Sequence, residues 1–411
     1  MDNNPKQRLV LVVPAFPRYS ETFIVTKFLG LIQRGWDVHI VCSEFVDRDW
    51  LKFPQLAADL SLKQRIHVCW PQKQKWLALL LLLPALMRAI LTKPVQTFEY
   101  FRKGLPRFKW GIFKRFYLDL ELICLSPGLI HFEFGALAVG RTYLKHLLNA
   151  KLTVSFRGYD LNFAGLDTPG YYDEVWRTAD AAHFLGRDLW QRAQQRGCPR
   201  DFPHVFIPPA LDLAKFVEFD PKPLESISTP SRPLRVLSVG RLEWKKGYEF
   251  ALQAVKLLLD EGIRLEYRVV GDGEYKHALY FARRQLGLEN QISFLGAVPH
   301  ERVLAQLAWA DIFLHAAVSE GFCNAVLEAQ AAGLPVVCSD ADGLAENVAD
   351  GLAGFVVPRR SPSALAEKIA LLAQDAPLRQ LLGSAGRERV AQLFQLESHL
   401  SAWENFYQQL S

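Results

Sequence analysis

The chain has 411 residues, half of them hydrophobic, and a net charge of +5, which sets an expectation of two or three domains with ample material for separate cores. Its six cysteines (Cys42, Cys69, Cys124, Cys198, Cys323, Cys338) are scattered without a Cys-x-x-Cys pair, which argues against a disulfide framework and a zinc site and suits a reducing cytoplasm. The amino terminus is polar and leads straight into a strand, so it does not read as a signal peptide.

Along the first half, apolar runs alternate with helical stretches, as in a doubly wound parallel sheet. Strands are expected at residues 8–14, 36–42, 129–132, 152–156, 181–185 and 204–207, with a helix at 22–33. Residues 73–115 hold ten basic residues against Glu99 alone, around the apolar run Trp76–Met87. That run is broken by Pro84 and falls short of the ~20 residues of a spanning helix. Two readings stand side by side: an interfacial patch on anionic membrane, or a buried core helix beside a solvated basic one.

A Pro-rich passage follows, with Pro208, Pro209, Pro221, Pro223, Pro230 and Pro233, which marks a linker. The pattern then restarts. Strands are expected at 234–239, 265–270, 292–294, 311–315 and 335–338, with helices at 248–259, 275–286 and 301–308 and one through Glu328. Three closing helices lie near 363–373, 377–392 and 397–409. Trp403, Phe406 and Tyr407 give the last an apolar side, expected to cover the first domain. The expected layout is therefore residues 1–220 as the first domain, 221–233 as linker, 234–392 as the second domain and 393–411 as a helix crossing back.

The chemistry concentrates at strand-to-helix junctions. Ser319-Glu320-Gly321-Phe322-Cys323-Asn324-Ala325-Val326-Leu327-Glu328 sets two carboxylates eight residues apart at a helix start, a place that attracts anions. On one helix they would lie ~12 Å apart along the axis and about 80° apart around it. They touch different ends of one extended ligand, or one of them is structural. Glu320 at the helix mouth suits the reacting end, and Glu328 reaches toward a hydroxyl pair such as a ribose. A second junction, Gly240-Arg241-Leu242-Glu243-Trp244-Lys245-Lys246-Gly247, reads as a phosphate clamp or as a solvated cap with surface cations. A third, Gly271-Asp272-Gly273-Glu274, is a tight turn whose amides either cap a helix or meet a ligand.

In the first half, Ser20, Glu21 and Thr22 open a helix, and the dinucleotide fingerprint Gly-x-Gly-x-x-Gly is missing. His131, Glu133, Arg157 and Asp160 stand at strand ends, where they can grip a hydroxylated substrate, although a single histidine is as readily structural. Asp340-Ala341-Asp342 reads as an exposed turn rather than a metal motif.

Together these residues resemble the family-four retaining glycosyltransferases of GT-B fold, nearest to the branch that makes bacterial exopolysaccharides such as colanic acid. The resemblance covers nearly the whole chain. It is strongest from residue 234 to 358, where Gly-Arg-Leu-x-x-x-Lys-Gly, Gly-Asp-Gly and Glu-x7-Glu occur in order. Phe16-Pro17-Arg18-Tyr19-Ser20-Glu21-Thr22-Phe23 and Pro208-Pro209-Ala210-Leu211-Asp212 are similar to elements of that branch. The resemblance implies an α/β chain of two doubly wound Rossmann-like domains facing a central cleft. It implies that Arg241 and Lys246 hold the donor diphosphate, that Glu320 with the amides of Gly321, Phe322 and Asn324 surrounds the sugar, and that Glu328 takes the ribose. His131 corresponds to the first histidine of a His-x-His-Phe element facing the sugar. Two departures, Glu133 for the second histidine and Arg157-Gly158-Tyr159-Asp160 for His-Gly-x-Asp, lie on the acceptor side.

The expected activity is retaining transfer of a hexose from a GDP- or UDP-sugar to a hydroxyl of a glycan or lipid-linked acceptor in surface polysaccharide biosynthesis. Catalytic roles fall to Glu320, His131, Arg241 and Lys246, and Gly273 lies at the donor. Ser20, Glu21, Thr22, Glu133, Arg157 and Asp160 line the acceptor side. No metal and no cofactor beyond the donor is expected, nor is nucleic acid a partner. The chain is expected in the cytoplasm, with peripheral contact to anionic membrane through residues 73–115. The rival readings are a non-catalytic nucleotide-sugar-binding protein, a GT-B epimerase or phosphorylase, and a nicotinamide oxidoreductase, the last weakened by the missing fingerprint.

Overall fold

The computed structural model describes residues 7–18, 21–71, 75–219, 227–229 and 231–410. Buried apolar runs such as Leu9–Phe16 build two all-parallel sheets, the kind that is covered by helices on both faces.

The first unit comprises the chain up to Phe184, Trp190–Ile207 and everything from Leu400. Its strands are β1 (Leu9–Phe16), β2 (Val38–Phe45), β3 (Ile66–Val68), β4 (Leu129–Phe132), β5 (Lys151–Phe156), β6 (Ala181–Phe184) and β7 (His204–Phe206). Their order is 3-2-1-4-5-6-7. β1 lies between β2 and β4, with Leu11 beside both Ile40 and His131.

The helix Lys75–Thr92 buries Ala85 and Ala89 but leaves one apolar side in water: Leu79 is 74% exposed, and Leu80, Leu83 and Leu91 are exposed too. It is held from one side by Arg88, whose guanidinium bonds both carboxylate oxygens of Glu121. The buried-core reading of this helix therefore fails. Among the described residues, no helix is long and apolar enough to cross a membrane. Lys73 of this segment lies outside the described residues.

The second unit comprises Leu185–Leu189 and Pro208–His399. Its strands are β8 (Leu234–Val239), β9 (Leu265–Val270), β10 (Ile292–Phe294), β11 (Ile312–His315), β12 (Val336–Ser339) and β13 (Gly354–Val357), in the order 10-9-8-11-12-13. Both orders follow the Rossmann scheme, in which strands run outward in both directions from a central pair.

The boundary between the two units differs from expectation. The second unit starts at Pro208, not after residue 220, because Leu211 and Phe216 are buried in its core. Arg387 fixes the same stretch by donating to the carbonyls of Phe219 and Phe216. Most of the proposed linker, 221–226 and 230, lies outside the described residues. At the other end, the helix Leu396–Gln408 puts Trp403, Phe406 and Tyr407 into the first unit's core. Strands β3 and β13 were not expected; they are only three and four residues long.

Candidate functional site

In the second unit the strand sequence reverses direction between β8 and β11, the point where open α/β sheets take their ligands at the carboxyl ends. β8 leads into the turn 240–247 and the helix Tyr248–Asp260. β11 leads into the turn 316–323 and the helix Asn324–Ala331. The turns are knitted backbone to backbone. The Val318 amide donates to the Lys245 carbonyl at 2.8 Å. Gly247 has φ of +62°, and a Cβ there would sit 2.1 Å from the Ala316 carbonyl, so only glycine fits. The turn after β9 joins them: Leu242 donates to Asp272 and Tyr275 donates to Leu242, both at 3.0 Å. A Cβ on Gly273 would lie 2.3 Å from the Leu242 carbonyl.

This frame brings Lys246 and Glu320 together. The Lys246 ammonium donates to the Glu320 carboxylate. His315 Nε2 lies 3.5 Å from the same carboxylate, and Cys323 Sγ lies 3.5 Å from that nitrogen. The pair borders solvent, with side-chain exposures of 12% for Lys246 and 15% for Glu320. Burial works to raise the Glu320 carboxyl, but Lys246 and His315 outweigh it and hold it down to about 2. Burial likewise opposes charge on His315, yet Cys323 and Glu320 raise it to about 9. Burial would raise the Cys323 thiol, but His315 brings it below its ordinary value. Arg241 extends into solvent at 65% exposure and pairs with Glu243 at 2.7 Å.

Among the described residues, no hydrogen bond occupies the amides of Gly321, Phe322 or Asn324. The Cys323 amide, by contrast, is taken by Asn347 Oδ1 at 3.2 Å. Glu328 lies within the helix Asn324–Ala331, whereas Glu320 precedes it. The two carboxylates thus belong to different local structures. Burial pushes the Glu328 carboxyl up to about 7, against the pull of Lys215. Asp342 is not the exposed turn residue that was expected: Ser319 Oγ donates to it at 2.6 Å and Arg359 at 2.9 Å.

The first unit has its own reversal, between β1 and β4, and it is sealed. Glu133 follows β4 and is fully buried; it pairs with the buried Lys27 ammonium and with Arg157 at 3.0 Å. His131 is fully buried, with one ring nitrogen 2.8 Å from Thr153 Oγ1 and the other 2.9 Å from Ser155 Oγ. The Trp403 and Tyr407 rings pack edge-on against it. Burial, followed by Lys27, keeps it neutral.

Three expectations are corrected here. His131 presents no ring nitrogen to a ligand, because both are satisfied inside the core. Glu133 is consumed by Lys27 and Arg157. Asp160 is fully buried and accepts from the Ala136 and Arg157 amides, each at 2.9 Å, which caps the short helix Gly158–Asn162. Glu21 and Thr22 stand at the start of the helix Thr22–Gln33, with Thr22 exposed, and Ser20 lies outside the described residues. Arg157 stacks on the Phe23 ring at 3.8 Å.

Residues 222–389 match the family described as "Glycosyl transferases group 1" and carry the similarity to that domain. The chain is 29% identical over 398 residues to WcaL of Salmonella typhimurium, a protein named for colanic acid biosynthesis, covering 92% of this chain and 94% of the relative. It is 28% identical to the amylovoran biosynthesis glycosyltransferase AmsK of Erwinia amylovora, covering 89% and 91%. Its fold matches that of Anabaena HepE, solved in complex with UDP-glucose, with a TM-score of 0.69 at 16% identity over 97% of this chain and 99% of that one. The architecture is GT-B, with two parallel-sheet Rossmann-like domains.

Four residues of these clusters escaped the sequence reading: Lys27, Lys215, His315 and Cys323. His315 ends a strand one short turn before Glu320, a signal that was available. Lys27 sits mid-helix, and only the fold sets it against Glu133.

Proposed function

We propose that this chain is a glycosyltransferase that moves a hexose, with retention of anomeric configuration, from a GDP- or UDP-sugar to a hydroxyl of a glycan or lipid-linked acceptor in surface polysaccharide assembly. The observation that carries this reading is the solvent-bordering Lys246–Glu320 pair at the reversal of the second sheet, beside the open amides of Gly321, Phe322 and Asn324. The pathway follows from relatives named for colanic acid and amylovoran biosynthesis.

In the proposed reaction the donor diphosphate draws Lys246 and Arg241 to itself. Fixed cations that stabilise charge developing on a leaving group supply a large share of rate enhancement, so no metal is needed as Lewis acid. Released from Lys246, Glu320 orients the sugar and supports its oxocarbenium character, and Glu328 accepts from the ribose. The departing phosphate takes the proton of the attacking hydroxyl. Arg157, Glu21 and Thr22 remain the proposed acceptor-side residues.

Protection against thermal unfolding by a panel of nucleotide sugars identifies the donor. With that donor, Glu320→Gln should lower turnover by ~10²–10³-fold while still binding it. Near-normal turnover by the variant ends the assignment. Donor conversion without any acceptor points to an epimerase, and tight binding without turnover points to a sensor.

We also propose a cytoplasmic enzyme seated on the inner face of an anionic membrane. Exposed apolar residues on Lys75–Thr92, together with Trp110 at 84% exposure and the basic residues of 73–115, support this reading. Flotation with anionic liposomes should be lost in Leu79→Glu/Leu83→Glu. Equal flotation on neutral lipid contradicts the electrostatic part.

A further inference from the structure

We propose that His315, Glu320 and Cys323 form a binding site for a thiophilic divalent cation, Zn2+ ahead of Mg2+ or Mn2+, whose occupation takes Glu320 away from Lys246. The absence of paired cysteines argued against zinc at the sequence level, but the fold assembles a mixed donor set from a strand end, a turn and a helix cap. The three candidate donor atoms, an imidazole nitrogen, a carboxylate oxygen and a sulfur, all lie within 4.8 Å of one another.

Two of the three donor separations match those around a tetrahedral ion, and the third is within 4.8 Å. Zinc bound at about 2.3 Å from sulfur and about 2.0–2.1 Å from nitrogen or oxygen sets neighbouring donors roughly 3.4–3.5 Å apart. The observed separations are 3.5 Å from Cys323 Sγ to His315 Nε2 and 3.5 Å from that nitrogen to Glu320 Oε2. Three protein ligands leave the fourth position to water, and the partly exposed Glu320 provides the way in. The scaffold is stiff: Asn347 fixes the Cys323 backbone by accepting from its amide at 3.2 Å and donating to its carbonyl at 3.0 Å. A thiolate and an imidazole select zinc over the harder magnesium or manganese, which prefer oxygen donors.

Lys246 is the competitor. It holds the same carboxylate, so the cation and the ammonium exclude each other, and a bound cation leaves Glu320 unable to serve a sugar. The site itself stands on the donor geometry; only the inhibition rests on the transferase reading.

Titration of the nucleotide-free full chain with Co2+ tests the site. One equivalent should give a thiolate-to-cobalt charge-transfer band with the intense visible bands of a four-coordinate ion, and Zn2+ should bleach both. Cys323→Ser and His315→Gln should each lose the four-coordinate spectrum, and Lys246→Met should tighten Zn2+ by about tenfold through removal of the competing charge. A wild-type spectrum showing only weak six-coordinate bands overturns the site, whether or not the variants fold. So does a charge-transfer band that survives Cys323→Ser, which would belong to another cysteine. Micromolar Zn2+ should stop transfer and a chelator restore it. Unchanged transfer beside an intact cobalt spectrum overturns the inhibition, whereas a cobalt spectrum with no transfer under any condition overturns the transferase reading and leaves the site standing.

Discussion

The two sheets of this chain reverse direction at equivalent places and put the same three residue types there. In the first unit Lys27 meets Glu133, with His131 3.8 Å from the carboxylate. In the second, Lys246 meets Glu320, with His315 at 3.5 Å. The difference is cover. Trp403 and Tyr407 close the first cluster, and Arg157 supplies a second cation, so the Glu133 carboxylate is spent inside the protein. The second cluster keeps an edge in water. Shared topology therefore produces a structural plug in one unit and a candidate reaction site in the other, and burial rather than residue type separates the roles.

The sharpest way to break this comparison is to neutralise both acids. Glu133→Gln leaves Lys27 and the Arg157 guanidinium buried without a carboxylate, and breaking a buried pair in this way costs about 3–5 kcal/mol. Denaturant unfolding should show that loss, while turnover per folded molecule stays within a few-fold. Glu320→Gln should invert the pattern, with a smaller loss of stability beside the loss of transfer. If Glu133→Gln instead removes turnover without lowering stability, the first cluster is a working site and the distinction fails.

Next in size is the cation. Charge-assisted hydrogen bonds contribute about 1.5–3 kcal/mol, so Lys246→Met should weaken nucleoside diphosphate binding by roughly 10–100-fold in calorimetry. Lys27→Met should leave that affinity unchanged, because its ammonium sits under the Trp403 ring at 3.7 Å and touches no solvent-facing group. Equal affinity for wild type and Lys246→Met would move the phosphate clamp to Arg241 alone.

The two-sheet architecture was legible because alternating buried strands and amphipathic helices leave strong periodic traces, as at Leu9–Phe16 and Tyr248–Asp260. The short β3 and β13 leave almost none. At the site, glycine-bracketed turns marked Lys246 and Glu320 directly, since the chain must bend where strands end. The sealed cluster was misread for a physical reason. His131, Glu133 and Asp160 carry the residue types of a binding site, but their burial is decided by partners remote in sequence: Lys27 before them, Trp403 and Tyr407 at the far end. The pairing of His315 with Cys323 was hidden because it depends on how the turn after β11 folds back onto the strand end.

The smallest expected effect concerns Glu328, the one acid of the pair without a cation in direct contact. Its carboxyl is raised to about 7 by burial, so in the ligand-free protein it gains its charge only as pH climbs through neutrality. A ribose diol donates to the ionised form. Nucleoside diphosphate affinity should therefore rise several-fold between pH 6 and pH 8, with the midpoint near 7, and Glu328→Gln should bind more weakly at pH 8 and lose this step. Stability moves the other way. An acid whose folded value lies above its unfolded one keeps its proton in the fold after the unfolded chain has released it, so stability falls as pH rises from the unfolded value toward 7, by up to about 1.4 kcal/mol per pH unit. Glu328→Gln removes that loss and should be more stable than wild type at pH 8, with the gap closing toward pH 4. A variant that loses affinity without gaining stability at pH 8 would show that Glu328 is already charged in the free protein, and that the second cluster is as well balanced as the first.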